Sequence, residues 1–426
     1  AVDAITFDLS VEEADLIVSK IFGAPKTGVF GLLDLVGLDL MPHVLDSMIS
    51  NVKKEDKYNN FSEYPEIFNY MLENNLVGRK AQGGFYKLEK INGKNIKHSI
   101  NLKTKEYSIS QNANIESLNL GKKDIRKFLD QDDKYSLYAW SVLSSTIEYT
   151  LNHSKEISED ILSIDSAMKN GFGLKFGPFE LIDQLGKNWL VGKLKSNNRN
   201  IPTILDELDS ETFYKVEDYK FKYFDYFKNS FETVYRPEGV ILLSDIKKTN
   251  KPVEKIQTAS LWDIGDGITL FEIHSKGNSI DMNTMNFLDL SIDITSSSYK
   301  AMIIYNEGNL FSAGANVGEA LFLGNVGLEN ELIDNIIENG QKIFQKLKYS
   351  SFPVISAPSQ MALGGGCELL LHSDHIQAHV ESYIGLTEAA LGISPAWGGC
   401  KEMLNRLSNS SKIPKGPMPS VTKAFN

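Results

Sequence analysis

Three consecutive glycines, Gly364-Gly365-Gly366, run directly into Cys367-Glu368 and the apolar stretch Leu369-Leu370-Leu371, and they constrain the chain more than any other segment. With no Cβ at three successive positions the main chain turns tightly and brings its N–H groups close to a ligand oxygen. The leucines behind the turn predict a helix starting there. A second small-residue turn, Phe311-Ser312-Ala313-Gly314-Ala315-Asn316, follows the apolar run Ala301-Met302-Ile303-Ile304-Tyr305, which reads as a buried strand. Each turn can offer one backbone N–H to an oxyanion. A second carboxylate, Glu388 in Gly385-Leu386-Thr387-Glu388, comes twenty positions after Glu368 (388 − 368 = 20). Taken singly, Glu368 is a first-turn helix residue favoured by the dipole and Glu388 an ordinary surface glutamate. Together with the two turns they read as an active site with two carboxylates.

These motifs resemble the crotonase superfamily, whose enoyl-CoA hydratases carry a Phe-Ser-Ala-Gly-Ala-Asp turn and an Ala-Leu-Gly-Gly-Gly-Cys-Glu turn. The resemblance runs from about Ile256 to the C-terminus, takes in Asn278-Ser279-Ile280-Asp281-Met282-Asn283, and lacks the family's closing part. It implies an α/β domain of the ββα spiral kind, incomplete at its C-terminus. It also implies a thioester oxygen held by the backbone N–H groups of Ala315 and Gly365, with Glu368 and Glu388 as catalytic residues handling water. Gly364, Lys276 and Trp397 are the substrate contacts it suggests. Lys276, just ahead of Asn278, falls near the family's phosphate-facing lysine. Trp397, in Ser394-Pro395-Ala396-Trp397-Gly398-Gly399, stands where a small residue is expected close to the acyl site, and a bulky indole there would shorten the pocket. Asn316 replaces a common aspartate, and Gln360-Met361 replaces a glycine–aromatic pair.

The chemistry explains the set. Adding water to a 2-enoyl thioester builds charge on the thioester oxygen, and losing one preorganised N–H donor typically costs about 2.7–4 kcal/mol. One carboxylate takes a proton from water while another group delivers one to C2, each role being worth roughly 10²- to 10⁴-fold.

The first half of the chain carries an internal repeat. Asp15 is followed by Gly23 and then Gly28-Val29-Phe30-Gly31-Leu32-Leu33-Asp34-Leu35-Val36-Gly37; Asp165 is followed by Gly173 and then Gly177-Pro178-Phe179-Glu180-Leu181-Ile182-Asp183-Gln184-Leu185-Gly186. This repeat resembles the C-terminal helical domain of the 3-hydroxyacyl-CoA dehydrogenases, as does Gly78-Arg79-Lys80-Ala81-Gln82-Gly83-Gly84-Phe85-Tyr86. Two tandem copies imply an internal pseudo-dimer, with the helices after Gly28 and Gly177 packed face to face. Leu32, Leu33, Leu35 and Val36 are expected to face a core.

A dehydrogenase of that family needs a dinucleotide domain, yet no Gly-x-Gly-x-x-Gly opening a helix after a strand occurs in the sequence. The chain is therefore expected to be the middle of a longer, bifunctional polypeptide, dehydrogenase first and hydratase second. This fragment is expected to bind no cofactor of its own; its substrate is a coenzyme A thioester, and NAD belongs to the parent.

The fold class expected is multidomain: two mainly α-helical dehydrogenase C-terminal-type domains with a β-hairpin, then the α/β crotonase-like domain. The domains are placed at residues 1–110 and 111–235, a linker at 236–255, and the partial crotonase-like domain at 256–426. A hairpin is expected over about 84–109, strands at Ile268–Ile273 and Ala301–Tyr305, and a helix at Glu331–Leu347 with Leu332, Ile333, Ile336, Ile337, Ile343, Phe344 and Leu347 in one stripe. A formal net charge of −11 argues against nucleic acid as a partner. No apolar run approaches the ~18 residues of a membrane span, and no signal peptide is visible, so a cytoplasmic protein is expected, free of membrane contact. Cys367 and Cys400 read as free thiols. His372, His375 and His379 lack a matching closed ligand set, and no metal is assigned.

The favoured reading is an enoyl-CoA hydratase of fatty-acid β-oxidation fused to a 3-hydroxyacyl-CoA dehydrogenase. The alternatives are a non-catalytic assembly module with a degenerate crotonase fold, or an enoyl-CoA isomerase, which usually manages with one carboxylate.

Overall fold

Helix starts leave backbone N–H groups without partners, and in this chain two of those starts are satisfied by a buried aspartate from the preceding helix. The computed structural model describes residues 1–61, 64–308, 310–316, 318, 329–409 and 417–425. The chain divides into two compact units, Ala1–Arg236 and Pro237–Asn426.

The first unit opens with helices α1 (Val2–Thr6), α2 (Val11–Ile21), α3 (Phe30–Val36), α4 (Leu40–Asn51) and α5 (Glu66–Glu73), then strands β1 (Tyr86–Ile91), β2 (Lys94–Ile100) and β3 (Tyr107–Ile109). It continues with α6 (Ile125–Leu129), α7 (Lys134–Ile157), α8 (Ile161–Phe172), α9 (Pro178–Leu185), α10 (Lys187–Ser196) and α11 (Thr203–Glu207), then β4 (Tyr214–Glu217), β5 (Lys220–Asp225) and β6 (Ser230–Thr233). Each strand trio is an antiparallel meander in sequence order. Ser10 caps α2 in a reciprocal box with Glu13.

The repeat is visible in the hydrogen bonds. Asp15 accepts from the N–H groups of Phe30 (2.7 Å) and Gly31 (3.2 Å) and from the Tyr86 hydroxyl (2.9 Å). Asp165 accepts from Phe179 N–H (2.9 Å), Glu180 N–H (3.1 Å) and the Tyr214 hydroxyl (2.8 Å). A Cβ on Gly28 or Gly177 would collide with that aspartate, which is why glycine stands at both positions. Asp34 holds the N–H groups of Phe85 and Tyr86 at 2.7 Å each, and Asp183 holds those of Phe213 (2.6 Å) and Tyr214 (2.8 Å). Burial pushes Asp15 and Asp165 up to about 6 and Asp183 up to about 7, against the pull of these donors.

One hydrophobic cluster runs through both halves of this unit, from Phe30 and Phe85 to Phe179 and Phe213. The halves meet reciprocally: Lys175 N–H donates to Gly23 O at 3.0 Å, while Pro25 Cγ lies 3.3 Å from where a Cβ on Gly173 would be. Helices α1 and α2 also lie on α7. The expected core face of α3 needs correction. Phe30, Gly31 and Asp34 are its buried residues, whereas Leu32, Leu35 and Val36 are 37%, 55% and 44% exposed. The meander of the second half was not anticipated either, because its strands are short and interrupted by lysines.

The second unit contains α12 (Leu243–Thr249), β7 (Glu254–Lys255), β8 (Ala259–Asp263), β9 (Ile268–Ile273), α13 (Met282–Ser298), β10 (Ala301–Ile304), α14 (Glu329–Lys348), β11 (Val354–Ser356), β12 (Met361–Leu363), α15 (Gly365–Leu371), β13 (His375–Ile376), β14 (Tyr383–Gly385), α16 (Gly399–Ser408) and α17 (Pro417–Phe425). Its main sheet has the order β13-β11-β10-β9-β8-β7, parallel from β9 through β10 and β11 to β13. β12 and β14 form a separate parallel pair, Ala362 opposite Ile384. The stretch expected as a linker forms α12, whose Leu243 joins Trp262 and Leu270 and whose Lys247 pairs with the buried Glu272. On α14, Ile343, Phe344 and Leu347 enter the core; the Leu332 side chain lies outside the described residues. No helix among the described residues is long and apolar enough to cross a membrane.

Candidate active site

The two small-residue turns lie side by side. Ser312 N–H donates to Met361 O (3.0 Å) and Leu363 N–H to Ser312 O (2.9 Å), so the Phe311–Asn316 segment runs along β12 into the glycine turn. Gly314, at φ +91°, has no room for a side chain: a Cβ there would lie 2.6 Å from Leu363 O and 2.9 Å from Gly365 N. Ile280 donates to Gly314 O and accepts from Asn316 N–H, both at 2.9 Å. That alternation turns the N–H of Ala315 away from Ile280, and Ala315 N lies 3.1 Å from where a Cβ on Gly365 would be. The expected pair of N–H positions is thus brought together.

Gly364 lies between β12 and α15. Its N–H donates to Gly385 O (2.9 Å), and at φ +53° its missing Cβ leaves space 3.1 Å from Glu388 Oε1. Helix α15 begins at Gly365, inside the glycine run rather than behind it. Glu368 sits in its first turn, buried, with Oε1 accepting from Trp397 N–H (2.9 Å) and Gly399 N–H (2.8 Å). Burial, reinforced by the Glu388 charge, pushes Glu368 up to about 7. Glu388 is also buried, and its Oε2 has no hydrogen-bond partner. A buried acceptor left open in this way is costly unless something else fills the role.

Trp397 is only 6% exposed. Its indole meets Phe344 edge-on at 5.5 Å, and its Cζ3 is 2.7 Å from where a Cβ on Gly365 would be. A Cβ on Gly340 of α14 would strike the same ring. Gly340 is a residue the sequence reading missed; a lone glycine in a helix was its only signal. Gly399, likewise, serves Glu368 through its backbone.

Lys276 is exposed, in the single helical turn Lys276–Asn278, and the adjacent Gly277 O accepts from Ala313 N–H (3.0 Å). It therefore borders the turn that carries Ala315. Cys367 is buried and pushed up to about 12 by desolvation and then by the two glutamates, which leaves it a thiol without nucleophilic character. His372 is buried with Nδ1 2.7 Å from Glu368 O, while His375 and His379 are exposed. Among the described residues no cluster of three or more His, Cys, Asp or Glu side chains is arranged to hold a metal.

Comparison with known proteins bears on both units. Residues 264–412 match the family Enoyl-CoA hydratase/isomerase, and residues 1–88 and 141–219 match 3-hydroxyacyl-CoA dehydrogenase, C-terminal domain. A Bacillus subtilis (strain 168) protein, provisionally named a 3-hydroxyacyl-CoA dehydrogenase, is 34% identical across 97% of this chain and 52% of its own length. A Rickettsia prowazekii (strain Madrid E) protein, provisionally named a fatty acid oxidation complex trifunctional enzyme, is 33% identical across 96% of this chain and 53% of its own length. The chain spans about half the length of the curated relatives it matches. Residues 1–88 and 141–219 thus carry a domain similar to the C-terminal domain of the 3-hydroxyacyl-CoA dehydrogenases, and residues 264–412 one similar to the enoyl-CoA hydratase/isomerases.

Proposed function

We propose that the second unit adds water to 2-enoyl thioesters of coenzyme A. The observation that carries this is the burial of Glu368 and Glu388 beside one turn, with the N–H positions of Ala315 and Gly365 next to it. On this reading the thioester oxygen takes the two N–H groups, which stabilise the negative charge that develops as the double bond is attacked. The two glutamates hold one water; its oxygen bonds to C3, and a proton reaches C2 through the same pair. A group held near neutrality, as Glu368 is, populates both protonation states where the reaction runs. On the same reading Lys276 would meet a coenzyme A phosphate and Trp397 would wall the acyl end. The proposed domains are residues 1–110 and 111–235 as an internal pseudo-dimer of dehydrogenase C-terminal domains, and 256–426 as the partial hydratase, against which α12 and β7 of residues 236–255 pack.

The longer protein would add 3-hydroxyacyl-CoA dehydrogenase chemistry in fatty-acid β-oxidation, using NAD, in the cytoplasm. NAD does not fit the described residues of the first unit: both sheets there are antiparallel meanders, with no strand–glycine turn–helix crevice for a dinucleotide.

A second reading, an assembly module without catalysis, draws on the indole pressed against Gly365. The test is direct: supply the pure chain with a four-carbon 2-enoyl-CoA and follow loss of the conjugated thioester absorbance. Hydration above background that disappears in Glu368→Gln supports the hydratase; binding without turnover supports the module; double-bond migration without water uptake supports an isomerase.

A further inference from the structure

A buried imidazole touches both ends of Glu368. His372 follows the last residue of α15, one helical turn after Glu368, and its Nδ1 lies 2.7 Å from Glu368 O. The ring also lies against the turn that leads into α16: a Cβ on Gly398 would be 3.3 Å from both Cε1 and Nε2. Gly398 stands between Trp397 and Gly399, the two residues whose N–H groups donate to Glu368 Oε1. Phe344 meets the same imidazole at 5.2 Å, and Glu402 N–H donates to Gly398 O at 3.0 Å.

The surrounding groups fix the form of the ring. A carbonyl oxygen only accepts, so Nδ1 carries the proton of its hydrogen bond to Glu368. Nε2 faces the buried Glu402 at 3.9 Å, too far for a hydrogen bond. Burial lowers the proton affinity of His372 against the pull of the Glu368 carbonyl and the Glu402 carboxylate. Glu402, despite its own burial, is held below the usual carboxylate range by Lys348 (2.6 Å) and Lys401 (2.9 Å). With two lysines answering its charge, that carboxylate does not need a second proton on His372. The ring is thus a neutral imidazole with one N–H, directed at Glu368.

We propose that His372 is a positioning residue for Glu368, its Nδ1–H fixing the Glu368 carbonyl while its ring supports the Trp397–Gly399 turn that holds the carboxylate. The inference rests on the hydratase reading, in which Glu368 handles water. One rigid ring then sets the spacing between the backbone of Glu368 and the donors of its side chain, and small displacements of a proton-transferring group are costly. The other titratable groups here are Glu388 and Cys367 beside Glu368, and Glu402, Lys348 and Lys401 beside His372; substitution of His372 removes none of them.

The experiment compares wild type with His372→Leu, His372→Asn and His372→Gln, each supplied with a four-carbon 2-enoyl-CoA. His372→Leu removes the donor and should lower kcat roughly tenfold or more with KM within about twofold. His372→Asn returns an N–H at the Nδ1 position and should recover most of that loss, whereas His372→Gln, whose amide falls at the Nε2 position, should not. Equal kcat for the asparagine and glutamine variants would overturn the proposal, and this arm stands even where the leucine variant fails to fold. A second readout needs no turnover: the titration of Glu368, followed by NMR of carboxyl-labelled glutamate and assigned by its disappearance in Glu368→Gln. Wild type should titrate at about 7, and His372→Gln should move it upward as the Trp397 and Gly399 donors loosen. Variants that lose only thermal stability, with kcat and this titration unmoved, would reduce His372 to core packing and overturn the proposal. A wild type that hydrates nothing, yet whose Glu368 responds in this way, would sink the hydratase reading and leave the positioning role standing.

Discussion

The backbone N–H of Trp397 donates to Glu368 Oε1 at 2.9 Å while its indole lies against Gly365, so one residue both tethers a carboxylate and walls the adjoining space. The tether belongs to the main chain and survives substitution; the wall does not. Trp397→Gly should therefore retain hydration of a short 2-enoyl-CoA and raise kcat/KM for longer acyl chains relative to it. It should also destabilise the second unit by roughly 3–5 kcal/mol, since a buried indole is lost. An unchanged chain-length profile in a folded variant would remove the indole from the acyl wall.

Gly340→Ala tests the same wall from the opposite side. A methyl group there meets the indole ring, and the strain of overpacking is expected to cost about 1–3 kcal/mol. Combined with Trp397→Gly the penalty should largely disappear. Thermal melts of the two single variants and the double variant measure that coupling.

Glu368→Gln and Glu388→Gln should each lower kcat for hydration by at least roughly 10²-fold with the fold intact. Because the pair is proposed to hold one water, the double variant should be little worse than either single one. Wild-type turnover by Glu388→Gln would leave single-carboxylate isomerase chemistry as the better reading.

Gln360 occupies a left-handed backbone conformation, φ +59°, that suits glycine. Gln360→Gly removes a cost of roughly 1–2 kcal/mol and adds about 0.5–1 kcal/mol of chain entropy, so a small net gain is expected in a denaturant titration.

Stability of the first unit should depend on pH through Asp15, Asp165 and Asp183. Burial raises all three above the ordinary carboxylate value, to about 6, about 6 and about 7, so the folded unit binds protons more tightly than the unfolded chain. Their contribution is full below about pH 4 and is lost as pH rises through 6 and 7, with no further change above. Asp183→Asn should flatten that slope. It should also cost about 1–3 kcal/mol, because an amide has one acceptor oxygen to set before the two N–H groups of Phe213 and Tyr214. Urea titrations between pH 4 and 8 read both effects.

What could be read from the sequence was whatever local rules govern. Glycines that exclude a Cβ, at Gly28, Gly177, Gly314 and Gly364, mark close approaches wherever they sit, and strands such as Ile268–Ile273 follow from a run of apolar residues. The burial of α3 was not legible. Leu32, Leu35 and Val36 look like a core face, but what decides burial is whether another helix lies above them, and spacing carries no word of that. The second meander hid among lysines that alternate outward. Gly340 and Gly399 escaped because their work depends on partners dozens of residues away.

The matched ties of Tyr86 to Asp15 and Tyr214 to Asp165 carry a kinetic consequence. Before either half has formed, each tyrosine on the unfolded chain faces two chemically equivalent acceptors, and each strand pair two equivalent helix starts. Swapped pairings would be topologically compact yet wrong, and leaving them requires breaking several buried hydrogen bonds at once. Duplication thus gives this unit a built-in competitor for its own native contacts, and refolding should split into a fast phase and a slower one whose amplitude falls when Tyr214→Phe makes the two acceptors' partners unlike.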